Sequence, residues 1–166
     1  MPQEAEYRQD FEDCVHDCAD SLYRVAFRLT GEASAAQDLV QETYLNAWKG
    51  IKTLESKARM RAWVFAILRN QYSKYLRQEK KISTHSSNVD SLMAQTTSTP
   101  QIPDEIQKAI DKLDDKHKLP LLLMTMEGLT ADETATALDI PRGTVLSRVA
   151  RAKDKLRRTL STNPTI

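Results

Sequence analysis

Apolar residues recur at three- and four-residue steps through most of the chain, and no strand-like alternation occurs. Phe11, Cys14, Val15, Cys18, Leu22, Val25, Ala26 and Leu29 form the first such series and predict a helix over 4–29. Gly31 ends it. Ser34, with Gln37 three residues later, has the form of a capping box and predicts a second helix to about Lys49. Residues 50–57 are polar and read as a loop. A third helix is expected from about Ala58 to Lys81, with Met60, Trp63, Val64, Ile67 and Leu68 as its buried stripe. The text then changes. Residues 82–103 are rich in Ser and Thr, poor in apolar side chains, and close with two prolines, which predicts a flexible linker with room for a short helix around Asp90–Gln95.

After Pro103 the helical steps resume. Ile106, Ile110 and Leu113 mark a short helix. Leu119 to Met126 marks another, with Pro120 in its first turn and Gly128 as its stop. Thr130 and Glu133 form a second capping box, opening a helix to Leu138. Residues 139–143 are a tight connection, and a last helix runs from Pro141 or Thr144 to about Leu160. The expected fold is all-α. Two small helical domains, 1–81 and 104–161, are joined by the linker 82–103 and followed by a tail, 162–166.

The chain has 166 residues, 40% of them apolar, which suits one ordinary domain or two small ones. No apolar run approaches the ~18 residues of a membrane span. The acidic start, MPQEAEYRQDFED, lacks the apolar run of a signal peptide. Two cysteines are too few for a disulfide scaffold and point to a reducing, cytoplasmic setting. Four glycines argue against Gly-rich phosphate loops. The net charge of +1 is uninformative, but its distribution is not. Residues 1–48 carry 3 basic and 10 acidic side chains, and residues 49–81 carry 10 and 2. Residues 82–140 carry 4 and 10, and residues 141–166 carry 7 and 1. An acidic block followed by a basic one therefore occurs twice. That pattern suits a protein that touches nucleic acid at two places, and equally ordinary helix-surface patterning.

The last helix separates the two readings. At roughly 100° per residue, Thr144, Ser147, Arg148, Arg151, Lys155 and Arg158 fall in one arc. Val145, Val149, Ala152, Leu156 and Leu160 fall in another. Two short helices joined by a turn, the second presenting hydroxyls and guanidinium groups, describe a helix-turn-helix that reads a major groove. The helix start with Thr144 also suits a phosphate. The alternative is an amphipathic helix with a solvated cationic face.

The string GLTADETATALDIPRGTVLSRVARAKDKLRR, residues 128–158, resembles the minus-35-binding domain of bacterial sigma factors of the extracytoplasmic-function group. Leu146 departs from that pattern, standing where many relatives carry a polar or basic residue. The resemblance implies minus-35 contacts from Arg142, Thr144, Ser147, Arg148, Arg151 and Lys155. It covers about 8–81 and 104–160.

DLVQETYLNAWK, residues 38–49, is similar to the helix by which such factors dock on the coiled coil of the polymerase β′ subunit. Asp38, Gln41, Glu42 and Leu45 share one arc of that helix. An apolar residue among carboxylates suits a hot spot for a basic helical partner, although a lone surface leucine is common. Trp48 is expected to be a core or domain-edge anchor.

RAWVFAILRNQYSKYLRQEKK, residues 61–81, resembles the helix that engages the minus-10 element. The resemblance assigns Arg59, Arg61, Arg69, Asn70, Ser73 and Arg77 to DNA. It places a pocket for a flipped-out base at about Thr53–Arg61 with Asn70. That loop has no aromatic residue on which a base could stack.

The other signals are expected to be structural. Cys14 and Cys18 lie on the apolar stripe of the first helix and read as buried thiols, with only His16 nearby as a further ligand type. His85 and His117 read as solvated. Asp104, Glu105, Asp114 and Asp115 form no acid–base pair with a nucleophile, so an enzyme is not expected, nor a cofactor or metal. Leu121, Leu122, Leu123 and Met124 read as core.

The resulting expectation is an extracytoplasmic-function sigma factor. It would bind core RNA polymerase (β′ coiled coil and β flap) and promoter DNA, and be held by an anti-sigma factor. It would act in the bacterial cytoplasm without membrane insertion. Only STNPTI follows the last helix, so regulation is expected from outside the chain. The rival is a stand-alone helix-turn-helix regulator that binds duplex operators without polymerase.

Overall fold

The structure, a computed structural model, describes residues 2–83 and 102–162. Within them are seven helices: α1 (Pro2–Thr30), α2 (Ala33–Gly50), α3 (Met60–Ser83), α4 (Asp104–Asp111), α5 (Asp115–Thr125), α6 (Ala131–Leu138) and α7 (Arg142–Ser161). Two 3-10 turns, Ile51–Thr53 and Lys57–Arg59, lie between α2 and α3, and the described residues hold no strand. Residues 84–101, including His85 and the candidate helix at 90–95, and the tail from 163 lie outside the described residues.

Local chemistry sets the helix ends. Gly31 takes φ +70, a left-handed conformation that favours glycine, and its N–H donates to the Phe27 carbonyl at 2.8 Å. The chain then enters α2 at once, which places Glu32 at the N-cap in extended conformation. The capping box expected from Ser34 and Gln37 therefore does not form, and Ser34 Oγ donates to Glu32 Oε1 at 3.2 Å instead. The second box does form. Thr130 Oγ1 accepts from the Glu133 N–H at 3.1 Å, while Glu133 Oε2 accepts from the Thr130 N–H at 2.7 Å. These bonds hold the Glu133 carboxyl below its ordinary range. Asp139, at φ 52, closes α6 and turns the chain into α7.

Pro120 is interior to its helix, not in the first turn, because α5 starts at Asp115. The His117 and Lys118 N–H groups donate to the Asp114 carbonyl at 2.8 and 3.1 Å, which extends the helix upstream. Pro120 deletes one helical hydrogen bond, but its ring is fully buried.

The Leu121–Met124 run is core, as expected, with its three leucines buried and Met124 half-buried. The helix around it is apolar on two sides, and each side has its own partner. Leu121 packs with Leu113, Val145, Val149 and Ala152 inside the second half of the chain. Leu119, Leu122 and Leu123 join Leu22, Val25, Phe65 and Leu68 of the first half in a single cluster. Ala137 and Leu138 of α6 complete it against α3. The two helical domains thus share a core. Phe65, outside the stripe read from the sequence, is the largest fully buried side chain because α3 is packed by α1, α2 and α6 on different sides. No helix among the described residues is long and apolar enough to cross a membrane.

Candidate functional site

Helix α2 buries Ala36, Leu39, Thr43 and Ala47 and turns its other face outward. Asp38, Gln41, Glu42 and Leu45 are exposed there, in the arc expected from the sequence. Leu45 is 52% exposed and Trp48, one turn on, is 47% exposed. Trp48 meets the Phe11 ring edge-on at 5.1 Å, so it is anchored at the domain edge while keeping much of its indole in solvent. The ridge is therefore wider than its sequence suggested. The three-residue step from Leu45 to Trp48 was the signal.

On α3 the residues assigned to minus-10 DNA divide into two groups. Asn70, Ser73 and Arg77 are exposed along one face and linked by short local bonds. Asn70 Oδ1 accepts from Arg69 Nη2 at 2.9 Å, Ser73 Oγ donates to the Arg69 carbonyl at 3.0 Å, and Arg77 Nε donates to the Ser73 carbonyl at 3.3 Å. Arg59 stands apart, paired with Glu55 at 3.0 Å. Arg61 and Arg69 instead reach the second domain. Arg61 Nη2 donates to the Glu127 carbonyl, and Arg69 Nη1 to the Ala137 carbonyl at 3.2 Å. Helical spacing places a residue on a face but does not say which distant element covers it.

On α7 the inner arc is buried through Val145, Val149 and Ala152. Ser147, Arg151 and Lys155 are exposed, with Ser147 Oγ donating to the Thr144 carbonyl at 3.1 Å. Arg142 is exposed beside Asp132 at 3.4 Å. Thr144 and Arg148 are half-buried. Arg148 lines, with Arg69, Ser73 and Tyr72, a cleft of about 180 Å³ between the domains. The outward face also carries Leu146, 42% exposed.

His117 is buried rather than solvated, because α5 begins before it and carries it on a buried side of the helix. Burial holds its pKa below the ordinary 6.5, and Lys116, Arg151 and Lys155 push the same way against Asp114. The folded state thus takes up less proton than the unfolded state as pH falls through about 6.5, so the contribution of His117 to stability is full above that pH and is lost as pH falls below it. The melting temperature should fall between pH 7.5 and 5.5, and His117→Gln should flatten that slope. Cys14 and Cys18 are buried free thiols. Their mutual hydrogen bond, with burial behind it, holds the Cys14 thiol far above its ordinary range.

Comparison with known proteins identifies the family. Sigma-70 region 2 matches residues 14–82 and Sigma-70, region 4 matches residues 104–156. The sigma factor EcfG of Rhodopseudomonas palustris is 34% identical over 147 residues, covering 87% of this chain and 81% of that protein. The sigma factor SigL of Mycobacterium tuberculosis is 34% identical over 149 residues, covering 84% and 82%. The sigma factor RpoE of Bartonella quintana, solved in complex with the anti-sigma factor NepR, superposes with a TM-score of 0.79 at 25% identity. That superposition covers 93% of this chain and 99% of RpoE, so it takes in both domains together. By these matches and by its architecture, the chain belongs to the extracytoplasmic-function sigma factors of bacterial RNA polymerase.

Proposed function

We propose that this protein directs core RNA polymerase to specific promoters, with each surface doing one part of the work. The ridge Asp38, Gln41, Glu42, Leu45 and Trp48 docks on the β′ coiled coil. Arg59, Arg61, Arg69, Asn70, Ser73 and Arg77 engage the minus-10 element, where cations follow phosphates and Asn70 hydrogen-bonds a base edge. Arg142, Thr144, Ser147, Arg148, Arg151 and Lys155 meet the minus-35 duplex, with the second domain near the β flap. Leu146 adds apolar surface of the kind that contacts a thymine methyl. The protein acts as a polymerase subunit in the cytoplasm, not as an enzyme. Flipping a base costs a few kcal/mol, and further opening about 1.4 kcal/mol per stacked step. Contacts on the polymerase supply what one small domain does not.

The observation that carries this reading is the presence of two different outward surfaces on one chain. One is an acidic ridge tipped by Leu45 and Trp48, and the other a cationic face on a helix-turn-helix. A stand-alone regulator has no use for the first. Control by an anti-sigma factor is supported by the match to RpoE in its NepR-bound arrangement.

The test is start-site-specific transcription from a promoter library, with core polymerase alone and with this protein added. Initiation only with the protein, on templates sharing a minus-35 element, is the expected result. Tight duplex binding without polymerase and without transcripts would establish the stand-alone regulator instead.

A further inference from the structure

Glu127 stands just beyond the C-terminus of α5, where a negative charge opposes the helix dipole. Arg61 stands in the first turn of α3, where a positive charge does the same. Neither is explained by its own helix. In the folded chain the two meet. Arg24 of α1 donates from Nε to Glu127 Oε1 at 3.2 Å and from Nη2 to Oε2 at 3.1 Å, a two-point fork. Arg61 Nη2 lies 3.4 Å from the same Oε2. Ser21 Oγ accepts from Arg24 Nη2 at 3.2 Å and steadies the fork. The Glu127 side chain is 1% exposed, whereas those of Arg24 and Arg61 are 29% and 46% exposed.

The first domain therefore carries a pair of convergent guanidinium groups, and the second domain fills it with an oxyanion. Planar forks of this kind take carboxylate and phosphate alike. Arg61 and Arg69 stand eight residues apart, about 12 Å along α3 and about 80° around it, both turned toward the second domain. A polyanion following these two arginines would reach the pair. Arg69 is held by the second domain as well, through the Ala137 carbonyl.

We propose that Arg24 and Arg61 form a seat for a backbone phosphate of the single-stranded promoter DNA, and that Glu127 occupies this seat while the two domains are closed on each other. Parting the domains removes Glu127 and frees Arg24, Arg61 and Arg69 together. DNA and the second domain thus compete for the same groups, and the closed form takes up DNA weakly. The identity of the polyanion rests on the sigma-factor reading, while the seat itself rests on the geometry.

The experiment uses the full chain and a fluorescein-labelled single-stranded dT12, followed by anisotropy across a salt series. Glu127→Gln keeps the shape of the side chain and removes its charge. It should bind dT12 about fivefold or more tighter than the parent, because the competent form is more populated. Arg24→Gln also weakens the closed form but removes part of the seat. It should bind no tighter than the parent. In the Glu127→Gln background it should lower the slope of log affinity against log salt by about 0.7, one phosphate contact on a single strand. Equal gains from Glu127→Gln and Arg24→Gln would overturn the proposal, since both would then act only as a latch.

A second measurement needs no variant. The Arg24 Nε–H resonance of the parent protein should move on adding dT12. It should stay put with an uncharged methylphosphonate dT12, and inorganic phosphate at the same phosphate concentration should move it less. No movement at dT12 concentrations that saturate the anisotropy of the parent would overturn the seat even if Glu127→Gln failed to fold. Transcription with core polymerase is scored separately on the parent. A parent that binds dT12 through Arg24 but starts no transcript refutes the sigma reading and leaves the seat. A parent that transcribes while Arg24 ignores saturating dT12 refutes the seat alone.

Discussion

Leu45→Ala should weaken binding to core polymerase by about 2 kcal/mol or more, the scale of an interface hot spot, or roughly thirtyfold in affinity. Combined with Asp38→Ala it should abolish start-site-specific transcription at limiting protein. The size of the effect follows from position. Leu45 is 52% exposed and Trp48 47%, on a helix whose inner face is already satisfied by Ala36, Leu39, Thr43 and Ala47. Truncating Leu45 leaves no cavity within this chain, so the melting temperature should stay within a degree or so of the parent. Loss of both transcription and thermal stability would mean that Leu45 packs within the fold and would remove the docking assignment. Core-binding assays at two ionic strengths add a check. The loss caused by Asp38→Ala should shrink as salt screens the carboxylate, and that caused by Leu45→Ala should not.

Phe65→Ala should cost about 3–5 kcal/mol of folding stability, the scale for a fully buried aromatic side chain. That is a large share of the 5–15 kcal/mol typical of a domain. Phe65 lies in the cluster that includes Leu22 and Leu68 of the first domain and Leu122 and Leu123 of the second. The damage should therefore reach both halves. Denaturant melts followed by far-UV circular dichroism report every helix. Tryptophan fluorescence reports only Trp48 and Trp63, both in the first domain. The two probes should give the same midpoint in the parent and the same lowered midpoint in Phe65→Ala. A biphasic dichroism trace, with the second domain melting at its parental midpoint, would show that the shared core is not a cooperative unit.

The chain's helices were legible because each is amphipathic over several turns, and the Thr130–Glu133 box was legible because its bonds are local. The Ser34–Gln37 box failed for a reason outside its own pattern, since Gly31 turns the chain so that the N-cap falls two residues earlier than the box requires. Burial of His117 was missed because the helix that packs on α5, α7, lies far along the chain. The same holds for the site. The outward arc of α2 could be read from spacing, and so could the cationic arc of α7. The engagement of Arg61 and Arg69 could not, because their partners lie 66 and 68 residues away. The leucines of α5 announced burial without announcing that two separate faces were being buried.

That double burial makes the closed form depend on chain connectivity. The two domains are joined through residues 84–101, so their meeting is intramolecular. A connection within one chain holds two partners at an effective concentration of up to about millimolar. Cutting it would make the encounter bimolecular, and domains mixed at micromolar concentrations would then close only if their affinity for each other were itself micromolar or better. A modest interface within one chain is therefore enough to keep Arg61 and Arg69 engaged, and the same modesty lets a polymerase or a DNA strand release them.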